Sequence, residues 1–293
     1  MTLELEKLTP VFGARVSGLS IRDGVDDATI AEVAAALDEY SVLHFPDQPA
    51  TDEQQIAFTG KLGPLEETVV GSVGAGSPIA RISNIMPDGT VKDPDGQRAL
   101  FTRANEYWHT DSSFKPVPAK ASLLSAREIP AAGGDTEYCS TRAGYEALPD
   151  ETKVLIEGLI AIHSLEQSRS MLSADAMTDE QKAENPPVHQ ALVRVNPNNG
   201  RKSLLIGSHV SGIAGMEREE AMALWDELMA SATRPEFVYR HEWSVDDMVM
   251  WDNRAAMHRA TPYDEVNTRR IMIRTTLAGA GPTVIDGEIQ PGV

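Results

Sequence analysis

Six short runs, ASLLSA, ALVRV, KSLLIG, FVYRHEW, DMVMW and RIMIRTT, lie between residues 121 and 276 and are separated by turn-rich connections. Each has the length of a strand rather than of an amphipathic helix. Helical patterns frame them. Asp26 to Tyr40 places Ile30, Val33, Ala34 and Leu37 at helical spacing behind an Asp cap, and SVLHFP then reads as a strand. TDEQ at Thr51 has the form of a capping box, and the helix it opens is expected to stop at Gly63-Pro64. Further helices are expected near 141–159 and 216–231, the second with Ala221, Leu224, Trp225 and Leu228 on one face. Short strands at loop-separated intervals with helices around them predict an α+β, mainly β chain: a double-stranded β-helix, or jelly roll, whose mouth holds a small site. At 293 residues the whole chain, 1–293, fits a single domain.

From 66 to 105 the periodicity fades. VVGSVGAGSP is rich in glycine and PDGTVKDPDG carries two turn signals, so the segment is expected to cover a site rather than link domains. The formal charge of −18 argues against attraction to nucleic acid or anionic lipid. An anionic substrate would need local positive charge inside an otherwise repelling protein. Neither a membrane span nor a secretory signal is read from the sequence, which makes the cytoplasm the expected location. Cys139 is the single cysteine, so a metal would be held by His, Asp or Glu.

NEYWHTDSSF places His109 and Asp111 two residues apart. On extended backbone, positions i and i+2 project to one side, so the imidazole and carboxylate can converge on one ion. HxD alone is a weak signal. DDMVMWDNRAAMHRATPYDEVNTRRIMIRTT adds His258, a possible third ligand, and Arg270 twelve residues later. Two His and one carboxylate leave positions open for a chelating co-substrate and dioxygen, which suits non-haem iron(II); residue type alone leaves zinc and manganese open. Arg270, Met272 and Arg274 share one side of the RRIMIRTT strand. Two inward arginines are each expected to meet a carboxylate, whether from the protein or from a ligand.

These blocks together resemble the taurine and 2,4-dichlorophenoxyacetate dioxygenase family of 2-oxoglutarate enzymes. The likeness runs through DEQQIAFTGKLGPLE, WHTDSSF, PAAGGDTEYCSTRAGYEALP, GRKSLLIGSHVSGIAGM, FVYRHEW, WDNRAAMHRA and RRIMIRTT. DTEYC, LLIGSH and EFVYRHEW bring it nearest to the aryloxyalkanoate enzymes. The resemblance implies Fe(II) on His109, Asp111 and His258, and the distal carboxylate of 2-oxoglutarate on Thr136 and Arg270. It assigns the substrate's acid group to Arg274, aided by the Ser113 backbone and by Asn105 and His209. The implied reaction uses dioxygen to hydroxylate a small carboxylate next to its acid group, with ether cleavage to a phenol and a 2-oxo acid for an aryloxyalkanoate. Retention of Asp111 separates this pattern from related halogenases. Within the family, the alternative is a taurine, alkyl-sulfonate or alkyl-sulfate dioxygenase. Outside it stand a non-catalytic binding jelly roll and a zinc hydrolase. In the variable segment TVVGSVGAGSPIARISN before the HxD motif Arg81 is the only cation, where the phenoxyacetate enzyme carries lysines. A homo-oligomer is expected by analogy with the family.

Overall fold

Residues 248–252 show how the chain builds its layers: Met248 and Met250 enter one core, and Val249 and Trp251 enter another on the opposite face. Such alternation is the period-two consequence of an extended strand buried on both sides. The computed structural model describes residues 3–67, 76–86, 88–91, 103–173 and 175–293.

The strands in chain order are β1 (Glu4–Lys7), β2 (Ala14–Ser17), β3 (Val42–Phe45), β4 (Ile79–Ser83), β5 (Ala121–Glu128), β6 (Thr136–Ser140), β7 (Ile160–His163), β8 (Val188–Ala191), β9 (Val193–Val195), β10 (Lys202–Leu204), β11 (Val210–Ile213), β12 (Val238–His241), β13 (Met248–Asp252), β14 (Ala256–Ala260) and β15 (Ile271–Leu277). A seven-stranded sheet has the order β1-β2-β3-β13-β5-β15-β4, with only the β2–β3 pair parallel. A smaller sheet, β12-β6-β14, lies against it. Val42, Leu124, Val249, Trp251 and Met272 of the large sheet pack there on Tyr138 and Ala256 of the small one.

Helices α1 (Asp27–Tyr40) and α2 (Asp52–Lys61) cover the outer face of the large sheet, through Ile30, Val33, Leu37 and Phe58 against Leu43, Leu123, Met248 and Met250. Both begin where the sequence predicts. The Asp26 carboxylate accepts the Thr29 amide at 2.8 Å, and Thr51 and Gln54 close a reciprocal capping box. Each such cap contributes about 1 kcal/mol.

The helix expected at 141–159 is two, α3 (Thr141–Glu146) and α4 (Asp150–Ile156), and the chain has become the strand β7 by residue 160. Pro149 stands between the helices; it lacks an N–H and disfavours helical backbone in the residue before it. Two helices, α5 (Leu165–Ser170) and α6 (Asp179–Glu184), are too short to show a period. The second repeats the TDEQ capping box at Thr178, a signal that sequence reading could have used. Helix α7 (Arg218–Ala232) buries Ala221, Leu224 and Leu228, and its Trp225 indole donates to the Gly207 carbonyl at 3.1 Å.

Within the segment read as a cover, Ile79–Ser83 is the edge strand β4, paired with β15, and residues 68–75, 87 and 92–102 lie outside the described residues. Among the described residues no helix is long and apolar enough to cross a membrane.

Candidate metal centre

The HTD segment and β14 meet in a two-residue antiparallel bridge. The His109 amide donates to the His258 carbonyl at 3.1 Å and the His258 amide to the His109 carbonyl at 3.0 Å. Directly paired residues on one face bring their side chains together, and the two imidazoles stand 4.2 Å apart between centroids. Asp111 opens a turn in which Ser112 takes φ +56°. Its amide donates to Asn253 Oδ1 at 3.1 Å, which aims the carboxylate back at the rings. One donor atom from each of His109, Asp111 and His258 lies within 4.8 Å of the others, and all three residues are buried.

Gly207 lies behind this bridge. At φ +127° a Cβ there would stand 3.1 Å from His109 Cα and from the Trp108 carbonyl oxygen, so only glycine lets the two backbones approach this closely.

The donor set fits a divalent transition metal. His109 Nδ1 lies 2.8 Å from the Tyr107 carbonyl, an acceptor, so Nδ1 carries the proton and Nε2 keeps its lone pair. Burial pushes the pKa values of His109 and His258 down, which favours the neutral, ligating form. Burial alone would raise the Asp111 carboxyl. The Arg274 guanidinium, the imidazoles of His258 and His109 and the Ser122 hydroxyl outweigh it and hold the group well below the usual carboxylate range. Two neutral imidazoles and an ionised carboxylate, with no further protein donor in the group among the described residues, form a donor set that suits a divalent transition metal with open coordination positions.

Both expected arginines point inward, with different partners. Arg274 Nη1 donates to Asp111 Oδ1 at 2.5 Å, so its carboxylate belongs to the candidate metal ligand itself; its Nε is buried without a hydrogen-bond partner. Arg270 lies just before β15, 6% exposed, with its amide on Asn84 Oδ1 and its Nε on the Gly134 carbonyl. Among the described residues it makes no ion pair, so of the two expected sources of a carboxylate the protein does not supply one there, and its guanidinium lies 5.8 Å from the centre of the Tyr263 ring. Gly134, at φ +72°, leaves the room it occupies: a Cβ there would stand 3.2 Å from Arg270 Cδ and Nε. Thr136 is buried at the start of β6, where its hydroxyl accepts from the Trp243 indole at 3.0 Å.

His209 is buried with its ring 6.3 Å from that of His109 and 5.0 Å from that of Phe114. Burial drives its pKa well down, and Nδ1 has no hydrogen-bond partner. Ser113 is buried, its hydroxyl likewise unpartnered and its carbonyl held by Gln190. Asn105 lies in a 3-10 turn, Ala104–Glu106, that packs on β14. Arg81 is exposed on β4.

Sequence reasoning missed the supports. The Ser122 hydroxyl donates to Asp111 Oδ2 at 2.7 Å and accepts from Asn253 Nδ2 at 3.1 Å, and Asn253 Oδ1 also accepts from the Trp251 indole. Glu66 takes hydrogen bonds from Ser112 and Lys115, tying the metal turn to the beginning of the 66–105 segment. Arg169 is buried near His109 and His209 and its positive charge acts on both. Asn253 follows the WD of a strand already singled out and could have been found; nothing in ASLLSA distinguishes Ser122 from a structural serine.

The family model described as "Taurine catabolism dioxygenase TauD, TfdA family" matches residues 4–276. The chain belongs to this family. It is 40% identical over 285 residues to the alpha-ketoglutarate-dependent 2,4-dichlorophenoxyacetate dioxygenase of Cupriavidus pinatubonensis, covering 96% of this chain and 99% of that one. It is 38% identical to the (S)-phenoxypropionate/alpha-ketoglutarate-dioxygenase of Sphingobium herbicidovorans, covering 94% and 95%. The crystal structure of AAD-2 in complex with Mn(II) and N-oxalylglycine superposes with a TM-score of 0.91 at 45% identity, over 98% of this chain and all of that one. The mixed architecture of sheets and helices is thus that of this dioxygenase family.

Proposed function

We propose that this family member is an Fe(II)- and 2-oxoglutarate-dependent dioxygenase that hydroxylates an aryloxyalkanoate of the 2,4-dichlorophenoxyacetate kind next to its acid group. The product, a hemiacetal, then breaks into a phenol and a 2-oxo acid. The observation that carries this reading is a buried His-Asp-His cluster in a chain that also buries an arginine, Arg270, making no ion pair among the described residues. A guanidinium out of water without a counter-charge is costly, and a carboxylate ligand offsets that cost with paired, charge-assisted hydrogen bonds.

His109, Asp111 and His258 hold the metal, and Arg270 with Thr136 holds the distal carboxylate of 2-oxoglutarate. When bound, iron and 2-oxoglutarate supply the activation of dioxygen and the oxidation of the substrate C–H bond. The protein's own part is placement. Ser122 and Asn253 keep the Asp111 carboxylate turned toward the imidazoles, and the Tyr107 carbonyl fixes the His109 tautomer. Arg274, which shares Asp111 and retains an unpartnered Nε, receives the substrate's acid group, aided by the Ser113 backbone and by Asn105 and His209. The placement of the substrate carbon decides which hydrogen is lost, an effect worth many kcal/mol.

The two facing sheets are read as one double-stranded β-helix domain spanning the chain, and small-molecule acids as its partners. The test is succinate formation and phenol release across a panel of aryloxyacetates and the two phenoxypropionate enantiomers, with taurine and alkyl sulfates alongside. Fe(II)- and oxygen-dependent succinate release that follows the aryloxyalkanoates supports the reading. Preference for taurine or the sulfates would transfer it to sulfonate or sulfate oxygenation, and full turnover with zinc and no oxygen uptake would end it.

A further inference from the structure

A second cluster with the same donor set lies away from the one just described. His44 on β3, His241 at the end of β12 and Asp247 just before β13 place one donor atom each within 4.8 Å of one another. His44 Nε2 is 3.3 Å from Asp247 Oδ1 and His241 Nε2 is 3.4 Å from Asp247 Oδ2. Both nitrogens are buried, and neither has a hydrogen-bond partner of ordinary geometry. The rings stand 4.5 Å apart, edge to face.

We propose that His44, His241 and Asp247 form a second metal site, for a borderline divalent transition ion such as Zn(II), with a structural role. Three observations carry it. The separations match a shared ion: two ligands each about 2.1 Å from a tetrahedral centre stand roughly 3.4 Å apart. The ligands are held from behind, since His241 Nδ1 is bonded to the Tyr239 hydroxyl at 2.9 Å and Asp247 Oδ2 accepts the Ser244 amide at 3.0 Å. Buried metal-binding imidazoles and carboxylates are oriented in this way. The placement also gives an ion something to do. His44 lies on β3 of the large sheet, Asp247 immediately precedes its strand β13, and His241 ends β12 of the small sheet, so a bound ion ties the two sheets together. His241 pairs with Thr136 in register and packs edge to face on Trp243, whose indole holds the Thr136 hydroxyl.

The competing arrangement is a hydrogen-bonded cluster, in which both neutral rings turn an Nε2–H toward Asp247. Metal stoichiometry separates the two. Metal-stripped full-length protein is titrated with Zn(II) against a chromophoric chelator. Two equivalents are expected for the unaltered chain, one for an Asp111→Ala/His258→Ala variant that disables the first cluster, and one for His44→Val, a substitution suited to a buried strand position. In the Asp111→Ala/His258→Ala background Zn(II) also raises the melting temperature, and adding His44→Val abolishes the rise. If His44→Val fails to fold, His241→Gln takes its place. A single equivalent in the unaltered chain, loss of all Zn(II) binding in the double variant, or two equivalents kept by a folded His44→Val or His241→Gln protein each overturns the proposal in favour of the hydrogen-bonded cluster.

Discussion

Replacing Ser122 by Ala tests whether the metal centre depends on a residue that ligates nothing. The Ser122 hydroxyl is fully buried, donates to Asp111 Oδ2 at 2.7 Å and accepts from Asn253 Nδ2. Its loss removes a hydrogen bond to a charged acceptor, worth about 1.5–3 kcal/mol. Without it the carboxylate is free to turn toward Arg274, which already reaches its other oxygen at 2.5 Å. That rotation favours the metal-free arrangement over the ligating one. At about 1.4 kcal/mol per decade the expected loss of metal affinity is roughly tenfold to a hundredfold, the range typical when a partner of a metal ligand is removed. Asn253 Nδ2 also loses its partner, so stability is expected to fall by about 1–3 kcal/mol. The assay is anaerobic titration with Fe(II) in the presence of 2-oxoglutarate, following the charge-transfer absorption, with a thermal melt in parallel. A folded Ser122→Ala protein that binds Fe(II) as tightly as the parent would refute the assignment of Asp111 as a ligand oriented by Ser122.

Three further outcomes are expected. Arg270→Ala should raise the KM for 2-oxoglutarate far more than that for the acid substrate, and Arg274→Ala the reverse, as read from initial rates; equal effects on both would dissolve the division between the arginines. Gly207→Ala should lower the melting temperature by several degrees and weaken metal binding, since its Cβ would press on His109 Cα at 3.1 Å from a backbone φ of +127°; strain of this kind costs about 1–3 kcal/mol. His163 is fully buried and burial pushes its pKa down to about 4, so its contribution is fully present above about pH 6.5, where the unfolded imidazole is also neutral. As the pH falls from about 6.5 to 4 the unfolded chain takes up a proton that the folded one does not, and stability drops by about 3 kcal/mol. His163→Phe should flatten that limb in chemical-denaturation curves measured across the window.

The elements legible in advance were those whose signal is local. The Asp26 cap, the Thr51 capping box and the apolar face of α7 depend on residues within a turn or two of each other, and each was where its pattern placed it. The helix read at 141–159 failed for an equally local reason, since Pro149 divides it and the chain then turns into β7. The candidate site was read as an inventory: His109, Asp111, His258, Arg270 and Arg274 were named from motif and strand parity, and Thr136 from the family resemblance. His44, His241 and Asp247 carried no metal-ligand spacing in the sequence. They come from two strands and a turn up to 203 residues apart in sequence, and only the pairing of β3 with β13 and the packing of β12 beside them make a cluster.

What the sequence determined by itself was which chemical groups are present and which side of each strand they take, because side-chain parity and capping are properties of neighbouring residues. What the tertiary structure decided was their company. It gave Arg274 to Asp111, left Arg270 buried without an ion pair among the described residues, and set Ser122 and Asn253 behind the carboxylate. The reason is physical: the partner of a buried charge is chosen by whichever group the packed sheets bring within about 3 Å, and that distance depends on every strand pairing at once.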